Sequence, residues 1–500
     1  MQTIAAIDVG SNAIRMVVGR VSGTDQMEPI ENIRIPVRLG QDVFSVGHIG
    51  EPSMQAALDA FLRFHKIAGQ FEVKQIRAVA TSAMREAENS DILIDRVIQH
   101  TGIQVDIISG EEEARLIHLA VGKAINLQHK KTVLIDIGGG SIEVVISQGN
   151  KIISAESYDM GTVRLLRSLD DRVQKSFWVL LHEYTESARG RIKRELGKRK
   201  LDLCIGTGGN LEELGNLRRK IFKRDSSHLI TVNELETLGE KISKMTFDQR
   251  IKKLNLRPDR ADVILPATMV LLMIVHEAHI KEIQIPGVGL KDGVLWDMMP
   301  LALGSQLPRH EQIWTSATRL GQKYQFDGEH GVRVAKIAQS VFDQTLVLHN
   351  LEEGDRLFLE VASILHDVGH FIDTLNHDKH GYYILKNSSL IGLDERQRDI
   401  VANIIRYHRK TAPTNQDEQF KALAQKDRLI VTKLCALLRL ADAVEVSHTA
   451  RIRDLTMKKV KGYWQLKMVG EGNLLLEKWA LEKRKALFEE VFGTRLKILE

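Results

Sequence analysis

Residues 131–147 read KTVLIDIGGGSIEVVIS, and the rest of the chain is arranged around them. Thr132–Ile137 is apolar except for Thr132 and Asp136, the pattern of a buried strand. Gly138, Gly139 and Gly140 follow, then Ser141, then a second apolar run carrying Glu143. Asp136 thus stands at the mouth of a strand, beside a turn that no side chain obstructs. Glycines let backbone N–H groups approach a phosphate, and a carboxylate at a strand end can hold a divalent cation near it. A tight hairpin without a ligand is the plainer reading of such a turn.

The N-terminus bears on that choice. Residues 4–18 read IAAIDVGSNAIRMVV: a strand, Asp8, then Gly10 and Ser11, then a second apolar strand. The design is that of IDIGGGSIEVV, with Asp8 answering Asp136. Two such hairpins suggest an internal duplication, with two similar lobes facing one cleft. Each lobe would offer a carboxylate and a phosphate turn.

The chain has 500 residues, room for about three or four domains. Its 43% hydrophobic and 27% charged content is that of an ordinary globular protein rather than a disordered or fibrous one. Cys204 and Cys435 each sit in an apolar run and offer no disulfide framework, which fits a reducing cytosol. No basic segment followed by an apolar one opens the chain, so no signal peptide is expected. The longest apolar stretch, Val263–Val275, is too short to span a bilayer and reads as a core helix. A net charge of +5 does not by itself imply nucleic acid, but it suits a polyanionic ligand.

Residues 1–128 alternate strands and helices. Glu51–Gln70 is an amphipathic helix and Gln75–Thr81 a strand, with Arg85 one turn later. Arg85 is either a bidentate phosphate clamp or a solvated helix arginine. Strand Val105–Ser109 runs into SGEEEARLIHLAVG. Ser109 and Glu112 have the spacing of a capping box, and acids suit a helix's first turn. Glu113 is left over, and could be a general base aimed from a helix start.

Residues 129–303 repeat the theme. Strand Lys151–Ser157 leads to a turn and helix at MGTVRLL. Residues 189–200 carry Arg189, Arg191, Lys193, Arg194, Lys198, Arg199 and Lys200, either a solvated face or a rail for a polyanion. Strand Leu203–Gly206 opens into Thr207, Gly208, Gly209 and Asn210, a third Gly-rich turn at a helix start, where anions bind well. A long helix, Asp259–His279, precedes strand Glu282–Pro286 and GVGLKDGVLWDMM.

GSQLP at 304–308 marks a boundary. Beyond it helical periodicity dominates. His330, the adjacent His366 and Asp367, His380, His408 and Asp442 all fall on apolar helix patterns. Imidazoles and carboxylates on several helices make a metal constellation, although any one such histidine is more often a core residue. The tail, 448–500, mixes a strand at Tyr463–Val469 with an amphipathic segment at Glu477–Phe492.

The motifs AAIDVGSNAIRM, ATSAMREA, IISGEEEARLI, VLIDIGGGSIEVVI, GTGGN and GLKDGVLWDMM, in this order, resemble the exopolyphosphatase / guanosine pentaphosphate phosphatase family. The resemblance implies an α/β fold of two actin-like (ribonuclease H-like) lobes, 1–128 and 129–303. A helical HD-like domain, 304–447, and a small α+β domain, 448–500, would follow, as in the family's long members. It implies Glu113 as catalytic base and Asp8, Asp136 and Glu143 around a catalytic Mg2+. Ser11, Asn12, Arg85, Gly138, Gly139, Gly140 and Ser141 would hold the terminal phosphate. Gly208 and Gly209 match the superfamily's nucleotide-side loop. His330, His366, Asp367, His380, His408 and Asp442 match an intact HD-phosphohydrolase pattern, a second site for Mn2+ or Fe, or else a scaffold whose ligands only join the helices.

The activity so implied is hydrolysis of the terminal phosphoanhydride of inorganic polyphosphate, releasing orthophosphate. Guanosine pentaphosphate 5′-phosphohydrolysis, or both activities, is the alternative. An alarmone-binding sensor, with the HD-like part a separate phosphohydrolase, is a different class. A cytoplasmic homodimer that binds inorganic polyphosphate or guanosine penta/tetraphosphate, and neither nucleic acid nor a membrane, completes the expectation.

Overall fold

The computed structural model describes residues 2–23, 26–168, 190, 192–193, 200–302, 307–388, 390 and 392–499. The chain divides into two compact units, Met1–Gln306 and Leu307–Glu500.

In the first unit β1 (Gln2–Val9), β2 (Ile14–Gly23) and β3 (Gln26–Ile35) form an antiparallel meander. The strands β4 (Gln75–Ala80) and β5 (Val105–Ile107) join in parallel on the other side of β1, giving the order β3-β2-β1-β4-β5. The second sheet repeats the plan. A meander of β6 (Lys131–Ile137), β7 (Ile142–Gln148) and β8 (Lys151–Tyr158) is extended in parallel from β6 by β9 (Leu203–Thr207). It continues to β10 (Leu229–Thr231) at the edge and β11 (Glu282–Gln284) beside β9, in the order β10-β11-β9-β6-β7-β8.

The duplication seen in sequence is therefore a duplication of topology. It extends to register: Asp8 lies opposite Arg15 across the first hairpin, and Asp136 lies opposite Glu143 across the second. Strands β1 and β6 are central and covered on both faces, so Ile4–Ile7 and Val133–Ile135 are fully buried and read as unbroken apolar runs. Each sheet has its own core. Helix Glu51–Gln70 packs Met54, Ala57, Phe61 and Phe64 into the first. Helices Gly209–Ile221, Val232–Ser243 and Ile264–Glu277 supply the second.

The single helix expected over 259–279 is two: Pro258–Ala261 and Ile264–Glu277. Pro266 explains the break. It has no N–H to offer the carbonyl four residues back, at Asp262, and is tolerated only in the first turn of a new helix. As expected, that helix is largely buried. Among the described residues no helix is long and apolar enough to cross a membrane.

The second unit is helical from Leu307 to Val444, its longest helices being Leu307–Lys323, Gly328–Gln344, Glu353–Leu365, Glu395–Arg406 and Gln425–Val444. A three-stranded sheet follows, β12 (Ile452–Val460), β13 (Tyr463–Gly470) and β14 (Arg495–Leu499), with helices Leu475–Arg484 and Ala486–Phe492. Leu455, Met457, Trp464, Leu481 and Phe488 from this tail share one core with the preceding helices. His366 and Asp367 lie past the last turn of helix Glu353–Leu365, not within it, and a short 3-10 turn, Val368–Phe371, follows. At Gly369 in that turn a Cβ would stand 1.9 Å from the carbonyl oxygen of His377, so only glycine lets the start of helix His377–Lys386 come so close.

Candidate active site

Three carboxylates from three elements meet in the first unit. Asp136 stands one residue before the end of β6, Glu143 faces it from β7, and Glu113 lies in the first turns of helix Gly110–Ala124. One oxygen from each lies within 4.8 Å of one oxygen from each of the others, and all three residues are buried. Thr207 Oγ1, at the end of β9, donates to Asp136 Oδ1, and Ser157 Oγ donates to Glu143 Oε1 at 2.9 Å. Glu113 Oε2 and Glu143 Oε2 are buried with no hydrogen-bond partner.

Such crowding is costly without a counter-charge. Burial, then Asp136, pushes Glu143 up to about 8 against the hydrogen bonds from Ser141 and Ser157. Burial pushes Asp136 up to about 6, against the pull of Thr207 and with a further push from Asp8. Burial and the nearby Glu143 raise Glu113 well above the carboxylate range, opposed by Arg85. Two orphaned carboxylate oxygens in an all-oxygen donor set fit a hard divalent cation such as Mg2+.

Asp8 is not part of this trio. Its Oδ2 accepts from Arg15 Nη1 at 2.9 Å, so the first hairpin neutralises its own acid.

The two turns face each other. A Cβ on Gly139 would lie 3.0 Å from Ser11 Cβ and 3.7 Å from the Asn12 nitrogen. Ser11 Oγ in turn shares a hydrogen bond with Ser82 Oγ at 3.1 Å. The carbonyls of Gly138, Gly139 and Gly140 accept from the N–H groups of residues 161–164 at the start of helix Thr162–Ser168. Among the described residues the N–H groups of Gly139 and Gly140 have no acceptor. The turn therefore presents donors and no free acceptor, as an anion nest does. Arg85, in helix Ser82–Glu86, is held by the Ile108 carbonyl at 2.6 Å and lies close enough to lower both Glu113 and Glu143.

Gly208 adopts φ +88°, and a Cβ there would press on Asp136 Oδ1 and the Ile137 carbonyl. The third turn thus closes over the acids. One residue on, a Cβ at Gly209 would meet Arg260 Nη2 at 2.1 Å. Here stands a cationic group that the sequence reading missed. Arg260, buried and flanked by Arg15 and Arg34, is lowered to about 10, by burial first. Its Nη1 donates to Asn210 Oδ1 at 3.0 Å, while its Nε and that of Arg34 are buried without acceptors. Arg34 pairs with Asp259. No local pattern marks these arginines, which come from β2, β3 and the 258–261 turn. Of the basic run at 189–200, Arg189, Arg191, Arg194, Lys198 and Arg199 lie outside the described residues; Lys193 is within 3.9 Å of Glu277.

The expected capping box at Ser109 is half formed. Ser109 Oγ accepts from the Glu112 N–H at 3.3 Å, but the Glu112 carboxylate turns to the fully buried Arg115, at 2.7 and 2.8 Å. Arg115 also reaches Asp297 at 2.9 Å, and Arg77 bonds Asp297 at 2.5 Å. This ion-pair network ties the helix bearing Glu113 to β4 and to helix Leu290–Ala302.

In the second unit, His330, His366, Asp367, His408 and Asp442 do converge. His380 makes no ion pair and belongs to none of the possible metal-ligand groups among the described residues. His377, one turn earlier and buried, stands 3.3 Å from Asp367 in its place. Burial holds His330 down at about 4 and His408 at about 3.

Residues 16–302 match the Ppx/GppA phosphatase family, and residues 314–487 match Ppx/GppA phosphatase domain III. The guanosine-5′-triphosphate,3′-diphosphate pyrophosphatase of Photobacterium profundum is 26% identical over 441 residues, 87% of this chain and 85% of that protein. An exopolyphosphatase from Cytophaga hutchinsonii superposes with a TM-score of 0.57 at 25% identity, over 61% of this chain and 99% of that one. A Ppx/GppA family member from Aquifex aeolicus shares the fold, with a TM-score of 0.53 at 23% identity, over 61% and 99%. The chain therefore belongs to the Ppx/GppA phosphatase family, hydrolases of phosphoanhydride bonds.

Proposed function

We propose that the acid trio of the first unit cleaves the terminal phosphoanhydride of inorganic polyphosphate, releasing orthophosphate one residue at a time. The observation that carries this reading is the buried, uncompensated trio beside a turn that offers only donors. Water is the acceptor. Glu113 Oε2 takes its proton as oxygen attacks the end phosphorus in line with the leaving chain. A raised affinity for protons makes Glu113 a stronger base than a surface glutamate, and Arg85 keeps it ionisable.

Asp136 and Glu143 would hold Mg2+, which when bound stabilises charge on the transferring oxygens. Asp8, across the cleft, would add to the field while staying paired with Arg15. The Gly139 and Gly140 N–H groups, Ser11, Asn12, Ser141 and Arg85 would orient the terminal phosphate. Arg260 and Arg15, beside Gly209, and Arg34, next to Arg260, would receive phosphates further along the chain.

A second reading is 5′-phosphohydrolysis of guanosine pentaphosphate. It is favoured by the Photobacterium profundum relative, whose likeness runs through 87% of this chain. The same trio would serve, and the arginines would take the remaining phosphates of the nucleotide.

Orthophosphate release from long-chain polyphosphate and from guanosine pentaphosphate, with wild type and Glu113→Gln in parallel, decides between them. Faster release from polyphosphate, lost in the variant, supports the first reading, and release from the nucleotide alone supports the second. Binding of either ligand with no release in wild type would leave a sensor and overturn both.

A further inference from the structure

We propose that the second unit holds a pair of divalent transition-metal ions, bound by His330, His366, His377, His408 and Asp442 and bridged by Asp367. The proposal is independent of the reaction assigned to the first unit.

The two oxygens of Asp367 face different histidines. Oδ2 lies 3.5 Å from His366 Nε2 and 3.9 Å from His330 Nε2. Oδ1 lies 3.3 Å from His377 Nε2, 3.4 Å from His370 Nε2 and 3.9 Å from His408 Nε2. Asp442 completes the first group, with Oδ1 3.8 Å from His366 Nε2. Its other oxygen is taken by Arg484, which fixes the carboxylate. Each set thus surrounds its own point, with Asp367 shared between them.

The ring orientations say what belongs at those points. His366, His377 and His408 each lie with Nδ1 against the backbone carbonyl three residues earlier, at 2.7, 3.1 and 2.6 Å. A carbonyl only accepts, so each Nδ1 carries the proton and each Nε2 is left with a lone pair. Those lone pairs point at carboxylate oxygens, and His377 Nε2 and His408 Nε2 face each other at 3.2 Å. Arg409 reaches His377 Nε2 at 3.1 Å. No donor among the described residues serves His366 Nε2 or either nitrogen of His330, all of them buried.

Acceptors aimed at acceptors need a cation between them. Most of these separations exceed a hydrogen bond, yet two ligands each about 2.1 Å from one ion stand about 3.0–3.4 Å apart, so a small contraction closes the shell. A carbonyl holding Nδ1–H so that Nε2 is presented is the usual support of a metal-bound imidazole. Mixed imidazole and carboxylate donors favour Mn2+, Fe2+, Co2+ or Zn2+, whereas the all-oxygen trio of the first unit favours Mg2+. His370 and His448 at the rim are exposed and leave a way in.

The test is metal content and thermal stability of the full chain. Protein stripped with EDTA, loaded with Mn2+ or Co2+ and desalted should retain about two equivalents per chain. Asp367→Ala should lose both, His408→Gln should bind one ion at least roughly tenfold more weakly, and Asp136→Asn in the first unit should keep both. Mn2+ should also raise the melting temperature of wild type by more than equimolar Mg2+ does, a readout that needs no variant to fold. Retention of less than one equivalent by wild type, a single equivalent unaffected by Asp367→Ala, or equal shifts from Mg2+ and Mn2+ would overturn the proposal.

Discussion

The two hairpins of the first unit share strand order and register, and differ in the residue opposite the aspartate. Asp8 faces Arg15, and Asp136 faces Glu143. One turn therefore carries its own counter-ion. The other concentrates negative charge that burial makes expensive, so Glu143 and Asp136 are both pushed up, to about 8 and about 6. A duplicated backbone copies the position of a side chain but not its charge. On the function proposed above, the uncompensated lobe takes the cation and the chemistry, and the compensated lobe supplies a fixed electrostatic background.

That contrast can be broken most sharply at Glu113, the third member of the uncompensated set. Glu113→Gln should lower kcat roughly 100–10,000-fold, read as orthophosphate release with protein fold checked by circular dichroism. A loss below about threefold would reduce Glu113 to a helix-start acid. The aspartates test the comparison directly. Asp136→Asn should cost roughly 100-fold, and Asp8→Asn no more than about tenfold, because Asp8 already has its partner. Equal losses would make Asp8 a metal ligand, as the family resemblance implies.

Arg85→Ala should cost roughly tenfold or somewhat more, mostly in KM, by removing a charged donor to the terminal phosphate. An effect confined to kcat would instead place Arg85 with the acids, as the charge that keeps Glu113 ionisable.

The smallest effect is on stability. Glu143 titrates near 8 in the fold and at its ordinary 4.5 when unfolded, and Asp136 near 6 against 3.8. Between these values the folded state keeps protons that the unfolded chain releases, so stability falls as pH rises. The melting temperature of EDTA-treated protein should drop by a few degrees from about pH 5 to pH 8. Mg2+ should flatten the slope, and so should Glu143→Gln. A slope unchanged by both would mean that the trio is compensated by other groups.

Much of this molecule can be read from short stretches. The unbroken apolar runs at 4–7 and 133–135 identify central strands, and the Asp-x-Gly turns identify the duplication. The Ser109 cap marks the start of the helix that carries Glu113. Each rests on chemistry within a few residues of itself: periodicity, turn-forming glycines, a side chain reaching the next N–H. Even the split at Asp262 was present locally, in Pro266.

What the sequence by itself determined, then, is the family and the duplicated plan of the first unit's two sheets. The tertiary structure alone decided which charges meet. Glu112 has the spacing of a capping box, but its carboxylate goes to Arg115 because Asp297 and Arg77 arrive from distant elements to complete the network. His377 rather than His380 reaches Asp367 because Gly369 lets one particular turn of that helix approach. Arg15, Arg34 and Arg260 become one cationic group only when two strands and a short turn are brought together. Local patterns report the conformations of neighbours along the chain. Charge pairing depends on which distant segments close against each other, and on how little water is left between them.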